Sequence, residues 1–399
     1  MVHQDTRLEL LPLIVLVGPN GGGKSAFFDA LLNFSMLSRG YLRQAFGPYP
    51  YSFRATLFRG AQRVSRIGYE VAMSRTPTDD RFLVYEIDYS QTSADEDARF
   101  TIFVERLVSQ PDGEVLFDRA DVENSPLARG LPIENDRGIF SALRQQQLSA
   151  ETHAADELVS YCSQQISRFN KFRLDPGVLA APSRLPEISG EPTMASGPRL
   201  GYHGEDLAAT LYHLSETKAP ELDRIREKVK EVDSDFSDFE FNTVGTDRIA
   251  FSVAYSDRRR TIPSVRLSSG MLTYLGLVAL VLTPNRPAVL MVEEPENGLT
   301  PQAVKSFYRA VRELAHGDDP SRRSQVLLSS HSPFVICEAW NGEDRDFIHQ
   351  VKVVDGRAVV RSFSAVVRDQ KVQLGRDNTG QRTHLSLANA EEIMSGYLS

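Results

Sequence analysis

The sequence predicts an α/β fold: a mixed, mainly parallel core sheet, an antiparallel β-subdomain beside it and a helical lobe. Three observations predict this. Short continuous apolar runs, LPLIVLVG at 11–18 and AVLMV at 288–292, have the β-branched, unalternated look of strands buried on both faces, and turns and helical patterns follow them. Residues 51–120 instead alternate apolar with polar positions and are cut by turn-rich pieces, as in an antiparallel sheet. From about 140 to 235 helical periodicity dominates.

The elements follow in chain order. The run 11–18 is a strand stopped by glycine, and KSAFFDALLNFSML (24–37) is the helix after it, with Phe27, Phe28, Leu31 and Leu32 on its apolar side. RIGYEVAMS (66–74), RFLVYEIDYS (81–90), RFTIFVERLVS (99–109) and GEVLFDRA (113–120) are strands, separated by TPTDD, QTSADEDA and QPDG. DELVSYCSQQISRFNKF (156–172), EDLAATLYHLSE (205–216) and APELDRIREKVKEV (219–232) carry helical spacing. The Pro, Gly and Ser content of 181–200 marks a loop, and DRIAFSVAYSDRRRTIP (247–263) reads strand, turn, strand. Beyond 261 come a helix, the strand AVLMVEE, a second helix and the strand QVLLSSH (325–331). No repeat or sustained heptad run interrupts this order. The expected organisation is one head over 1–399, with lobes at 1–140, 141–250 (the helical insertion) and 251–399.

Composition narrows the function classes. The chain has 53 acidic and 45 basic residues, a net charge of −8, so no broad electrostatic grip on nucleic acid is advertised. The clusters Arg258-Arg259-Arg260 and Arg322-Arg323 are small, and read first as solvated turns. Cys162 and Cys337 stand far apart without metal-ligand spacing, which fits a reducing compartment. The opening MVHQDTRLELLPL lacks the order of a secretory signal, and the longest apolar runs are too short to cross a bilayer. The expectation is a soluble, cytoplasmic protein with no membrane partner.

Four segments carry chemistry. Gly18-Pro19-Asn20-Gly21-Gly22-Gly23-Lys24-Ser25 satisfies GxxxxGK[ST] between a buried strand and a helix. Its glycines let backbone N–H groups wrap phosphate oxygens, with Lys24 on the β- and γ-phosphates and Ser25 on Mg²⁺. AVLMVEEPENGLTP (288–301) ends a buried strand in Glu293-Glu294, where one carboxylate can hold a metal and the next can polarise a water; paired acids on a surface turn are the competing reading. QVLLSSHSP (325–333) delivers Ser330 and His331 in the same manner, against the plainer reading of a solvent-facing histidine. RLSSGMLTYLGLVALVL (266–282) places Ser268, Ser269 and Gly270 at a helix N-terminus, which offers anion-binding N–H groups or simply caps a core helix.

Taken in order, phosphate loop, long insertion, SSG helix, EE strand and histidine strand resemble the P-loop NTPases of ABC-ATPase type, and among them the RecF-like and OLD-like heads of prokaryotic AAA family ATPases. LSSGM (267–271) stands at the signature, VEEPENGLTP at the Walker B motif and D-loop, and SSHSP (329–333) at the switch histidine. FVERL, FRLDP and GYHGEDLAATLYHL (201–214) are similar to stretches typical of that group. The resemblance implies ATP hydrolysis by a head-to-head homodimer. Gly18, Asn20, Gly21, Gly22, Gly23, Lys24 and Ser25 of one subunit, with Ser268 and Gly270 of the other, would sandwich each ATP. Ser25 and Glu293 would hold Mg²⁺, with Glu294 and His331 catalytic. It further implies an ATP-gated switch in DNA-linked work such as repair or anti-phage defence. Because the chain ends soon after His331, a nuclease or toxin is expected as a separate effector protein, and DNA is a further candidate partner. A membrane transporter's nucleotide-binding subunit and a DNA-loading scaffold ATPase are the other readings. Glu293 in place of an aspartate, Met271 in place of glutamine and Thr300 in place of histidine depart from the pattern and imply slow hydrolysis. The Q-loop is not placed; Gln62 is left outside the site.

Overall fold

A computed structural model describes residues 8–42, 66–76, 78–91, 100–148, 156–185, 197–257, 260–319, 323–342, 344–354, 357–370, 372, 374–376 and 382–395. Gln62, Arg258, Arg259 and Arg322 lie outside the described residues. The chain parts into two compact units, one built on Ala26–Phe169 and one on Asp5–Ser25 together with Asn170–Ser399.

The strand β1 (Leu13–Val17) is wholly buried and passes through the glycine loop into α1 (Lys24–Leu37), which continues into the first unit. There the alternating segments form a four-stranded antiparallel sheet in the order β2 (Ile67–Met73), β3 (Phe82–Gln91), β4 (Phe100–Gln110), β5 (Glu114–Asp118). Its buried face carries Tyr85, Ile87 and Tyr89, and Phe34 of α1 meets the rings of Tyr69 and Tyr85. Glu105 on β4 is a buried charge, and it is fully engaged: it accepts from Tyr85 Oη (2.6 Å), Ile139 N (2.6 Å) and Arg119 Nη2 (2.5 Å). Two helices follow, α2 (Ile139–Leu148) and α3 (Glu157–Ile166), the latter capped by Asp156.

Here the structure corrects the helical reading of 156–172. The helix stops at Ile166, with Ser167 as its C-cap, and the chain re-emerges as the strand β6 (Phe169–Phe172). Four residues with Phe169, Lys171 and Phe172 buried are too few to show a strand period against the helix before them.

The second unit holds the core sheet. After β6 come α4 (Pro176–Leu179), β7 (Ser183–Arg184), α5 (Leu207–Glu216) and α6 (Pro220–Val232). β8 (Phe236–Val244), β9 (Arg248–Tyr255) and β10 (Thr261–Pro263) then join β7 in a small antiparallel sheet. Residues 141–250 therefore carry several strands as well as helices. α7 (Ser269–Leu282) is apolar on every side because it runs through the core; it leads to β11 (Val289–Glu293), α8 (Pro301–His316), β12 (Gln325–Ser330) and α9 (Pro333–Asn341). The chain continues into β13 (Ile348–Val354), β14 (Arg357–Ser362), α10 (Phe363–Asp369) and a last helix, α11 (Leu387–Ser395).

Six strands form the core sheet in the order β14-β13-β1-β12-β11-β6. β1 pairs in parallel with both β12 and β13, β11 with β12, and β14 returns antiparallel, so the sheet is mixed as expected. Among the described residues no helix is long and apolar enough to cross a membrane.

Candidate functional site

Register brings the separated motifs to one edge. Val17 stands opposite Ser330, and Glu293 opposite Ser329, so the glycine loop, His331 and the glutamate pair all leave the carboxyl ends of adjacent parallel strands. In open α/β sheets this edge is where ligands bind.

The loop is shaped by backbone approach. A Cβ on Gly18, whose φ is 156°, would lie 2.1 Å from the Val351 carbonyl oxygen of β13, and one on Gly22 would meet the Pro19 and Val351 carbonyl oxygens at 2.9 and 3.0 Å. Only glycine lets the loop close this tightly on its neighbour strand. Gly22 N donates to Pro19 O (3.0 Å), and Lys24 Nζ donates to Gly18 O (2.7 Å) and Pro19 O (3.0 Å). Burial pushes the Lys24 ammonium below its ordinary range, while the carboxylates of Glu294, Glu296 and Glu293 pull the other way. Asn20 and Gly21 in the loop and Ser25 in the first turn of α1 are exposed; Gly23, with a left-handed φ of 101°, lies between Gly21 and Ser25.

The glutamate pair sits at a sharp backbone turn. Glu294 has φ 47°, left-handed and uncommon for a residue with a Cβ, and its N–H donates to Ser329 O (2.8 Å). The turn breaks the strand's alternation, so two consecutive carboxylates can both face the neighbouring chain. Glu294 Oε1 lies 3.6 Å from His331 Nδ1, and Glu294 Oε2 accepts from Asn297 Nδ2 (3.0 Å) and lies 3.9 Å from Arg173 Nη2. Glu293, nearly fully buried, has Lys171 Nζ 3.2 Å from its Oε1, an ion pair in which the hydrogen-bond alignment is poor.

Sequence reasoning missed four of these groups. Lys171 and Arg173, two residues apart on and just past β6, face the two glutamates; the signal was a period-two pair of cations before Pro176, hidden by the helical reading. Glu296, third acid of EEPE, accepts from Ser330 Oγ (2.7 Å) and from His331 N (3.1 Å), and so ties the histidine turn to the glutamate turn, which Asn297 braces through Glu294. Beyond β6 the FRLDP and GYHGED stretches are zipped together, Arg173 N to Tyr202 O and Asp175 N to His203 O, both 2.9 Å.

Ser268 and Gly270 are elsewhere. Ser268 is exposed and caps α7, its Oγ accepting from Met271 N (3.2 Å), and its hydrogen bonds stay within that first turn. A Cβ on Gly270 would meet the Gly298 carbonyl oxygen at 2.4 Å, so this helix start rests on the loop after β11. Within this one chain, neither residue hydrogen-bonds to the glycine loop.

The cradle of glycines, inward-facing lysine and helix N-terminus fits a polyphosphate. For magnesium the donor set fits less well. Ser25 offers an exposed hydroxyl, but the Glu293 carboxylate already faces an ammonium, so the pair does not make a cage for a cation between them.

A family profile described as "AAA domain, putative AbiEii toxin, Type IV TA system" matches residues 13–337. No curated protein matches the chain significantly in sequence. Among solved structures, the chain is similar to an SMC head bound to the C-winged helix domain of ScpA, at 14% identity and a TM-score of 0.46, covering 91% of this chain and 94% of that one. An SMC head domain with an extended coiled coil, bound to the C-terminal domain of ScpA derived from Pyrococcus furiosus, gives 11% identity, coverage of 92% and 94%, and a TM-score of 0.43. The SMC head domain from Thermotoga maritima gives 15%, coverage of 90% and 92%, and 0.38.

Proposed function

The chain belongs to this AAA-domain family of P-loop ATPases, and from that premise we propose that it binds and hydrolyses ATP and works as an ATP-gated dimeric switch. The observation that carries the reading is the convergence of Lys24, Glu294 and His331 on the carboxyl edge of three adjacent parallel strands.

In this reading Lys24 exchanges the Gly18 and Pro19 carbonyls for phosphate oxygens, and the N–H groups of the glycine loop complete the cradle. Glu294 accepts the proton of the attacking water, oriented by Asn297, while His331 faces the terminal phosphate from the other side. Glu296 holds the histidine backbone in place. Ser268 and Gly270, exposed or half-exposed at the start of α7, would close on the nucleotide of a second copy. Hydrogen bonds to charged groups contribute about 1.5–3 kcal/mol each, so two or three at each of two sites exceed the roughly 5.5 kcal/mol that inverts a two-state population.

The wider role is DNA-linked work such as anti-phage defence or repair, with a separate nuclease or toxin protein as the effector. The family's stated association with a toxin–antitoxin system supports an effector role over a transport one. Light scattering tests the switch: Glu294→Gln should bind ATP, hydrolyse it about a hundredfold or more slowly and double in mass when ATP is added. A monomer with and without ATP would sink the sandwich. Lys24→Ala should lose nucleotide binding; retained affinity would show that the glycine loop has another role.

A further inference from the structure

The nucleotide site carries its own counter-charge where a metal would be expected. Lys171 and Glu293 are both buried, side chains 6% and 4% exposed, with Nζ 3.2 Å from Oε1. Both side chains are nearly closed off from solvent, and removing one leaves the other a buried charge without its ion-pair partner. The contact is not isolated. Two residues along, on the same side of the extended chain, Arg173 lies 3.9 Å from the Glu294 carboxylate. Lys171 is further hemmed in by the ring of Tyr202, 5.9 Å from its Nζ to the centroid. The cations Lys171 and Arg173 thus face the carboxylates of Glu293 and Glu294, and Lys24 feels the charge of the same acids.

A divalent ion bound by Glu293 would have to displace that ammonium, whose side chain is only 6% exposed, from its buried carboxylate partner. We propose that Lys171 is the fixed counter-cation of Glu293, taking the contact a divalent metal would otherwise use, so that ATP binds here with an affinity nearly independent of Mg²⁺. Lys171 is then a positioning residue: it sets the Glu293 carboxylate and, through the strand, the turn at Glu294. The inference rests on the nucleotide-site reading above, and the two can fail separately.

The test is a titration of a fluorescent ATP analogue onto the full chain, once in excess Mg²⁺ and once in EDTA. Wild-type affinities should agree within about threefold, whereas Lys171→Met should bind in Mg²⁺ and lose about tenfold or more in EDTA. Lys171→Arg, which keeps the charge, should behave as wild type; a variant that merely loosened the fold would weaken binding equally in both buffers and would count against the proposal. Should Lys171→Met not fold, Lys171→Gln makes the same comparison while keeping a donor for Glu293. Loss of about tenfold or more by the wild type in EDTA overturns the counter-cation and leaves the nucleotide site standing. Metal-independent binding by the Met or Gln variant overturns it too. No binding by the wild type in either buffer, or undiminished binding by Lys24→Ala, overturns the site itself.

Discussion

At Glu294 the backbone takes a left-handed conformation that costs a residue with a Cβ about 1–2 kcal/mol. Its surroundings hold it there: its own N–H on Ser329, Asn297 on its carboxylate and His331 across from it. Strain of this kind is kept where a side chain must point somewhere an ordinary strand end would not send it. Replacement by glycine removes the steric cost together with the carboxylate. Glu294→Gly is therefore expected to hydrolyse no ATP yet to melt at or above the wild-type temperature, a pairing that calorimetry and a phosphate-release assay would read out. A lower melting temperature would mean that the carboxylate's contacts outweigh the backbone strain.

Among the elements, the antiparallel strands of the first unit hang on Glu105. Tyr85 of β3, the first N–H of α2 and Arg119, just past β5, meet at this one carboxylate, and Arg119, itself largely buried, also donates to the Glu134 and Arg137 carbonyls. Glu105→Ala leaves that guanidinium without its anion and should cost about 3–5 kcal/mol in a urea unfolding experiment. A loss below about 1 kcal/mol would show that water replaces the carboxylate. The helix α1 and strands β2 to β5 were legible from sequence because each is long enough to show its period and is fenced by turn residues. The glycine loop was legible because its pattern seldom arises by chance and here stands between a buried strand and a helix. β6 was not: four residues after a helix carry no period, and with them Lys171 went unseen. β13 was likewise silent, although its Val351 carbonyl forms the wall against which the glycine loop folds. The EEPE run announced its first two acids by their place at a strand end. Nothing local marked Glu296 as the brace of His331, since that role exists only once β11 and β12 are paired.

For the molecule as a whole, the second unit draws its core from both ends of the sequence. Leu13, Val15 and Val17 pack in the same cluster as Phe363, Val366, Leu385 and Ile393. Deleting everything after Phe347 would strip β1 of its β13 neighbour and remove several fully buried side chains, each contributing about 1.5–3 kcal/mol. That sum rivals the roughly 5–15 kcal/mol by which a domain is ordinarily stable. The shortened chain should be recovered insoluble or should bind a hydrophobic dye; a soluble, cooperatively melting product would show that the closing strands are dispensable. Consider finally Gly270 and Gly298, whose main chains touch with no side chain between them. Side chains cushion most junctions between a loop and a helix, and soak up small displacements by changing rotamer. Here that cushion is absent, so a shift of the loop after the glutamate turn would pass to the start of α7 through main chain alone.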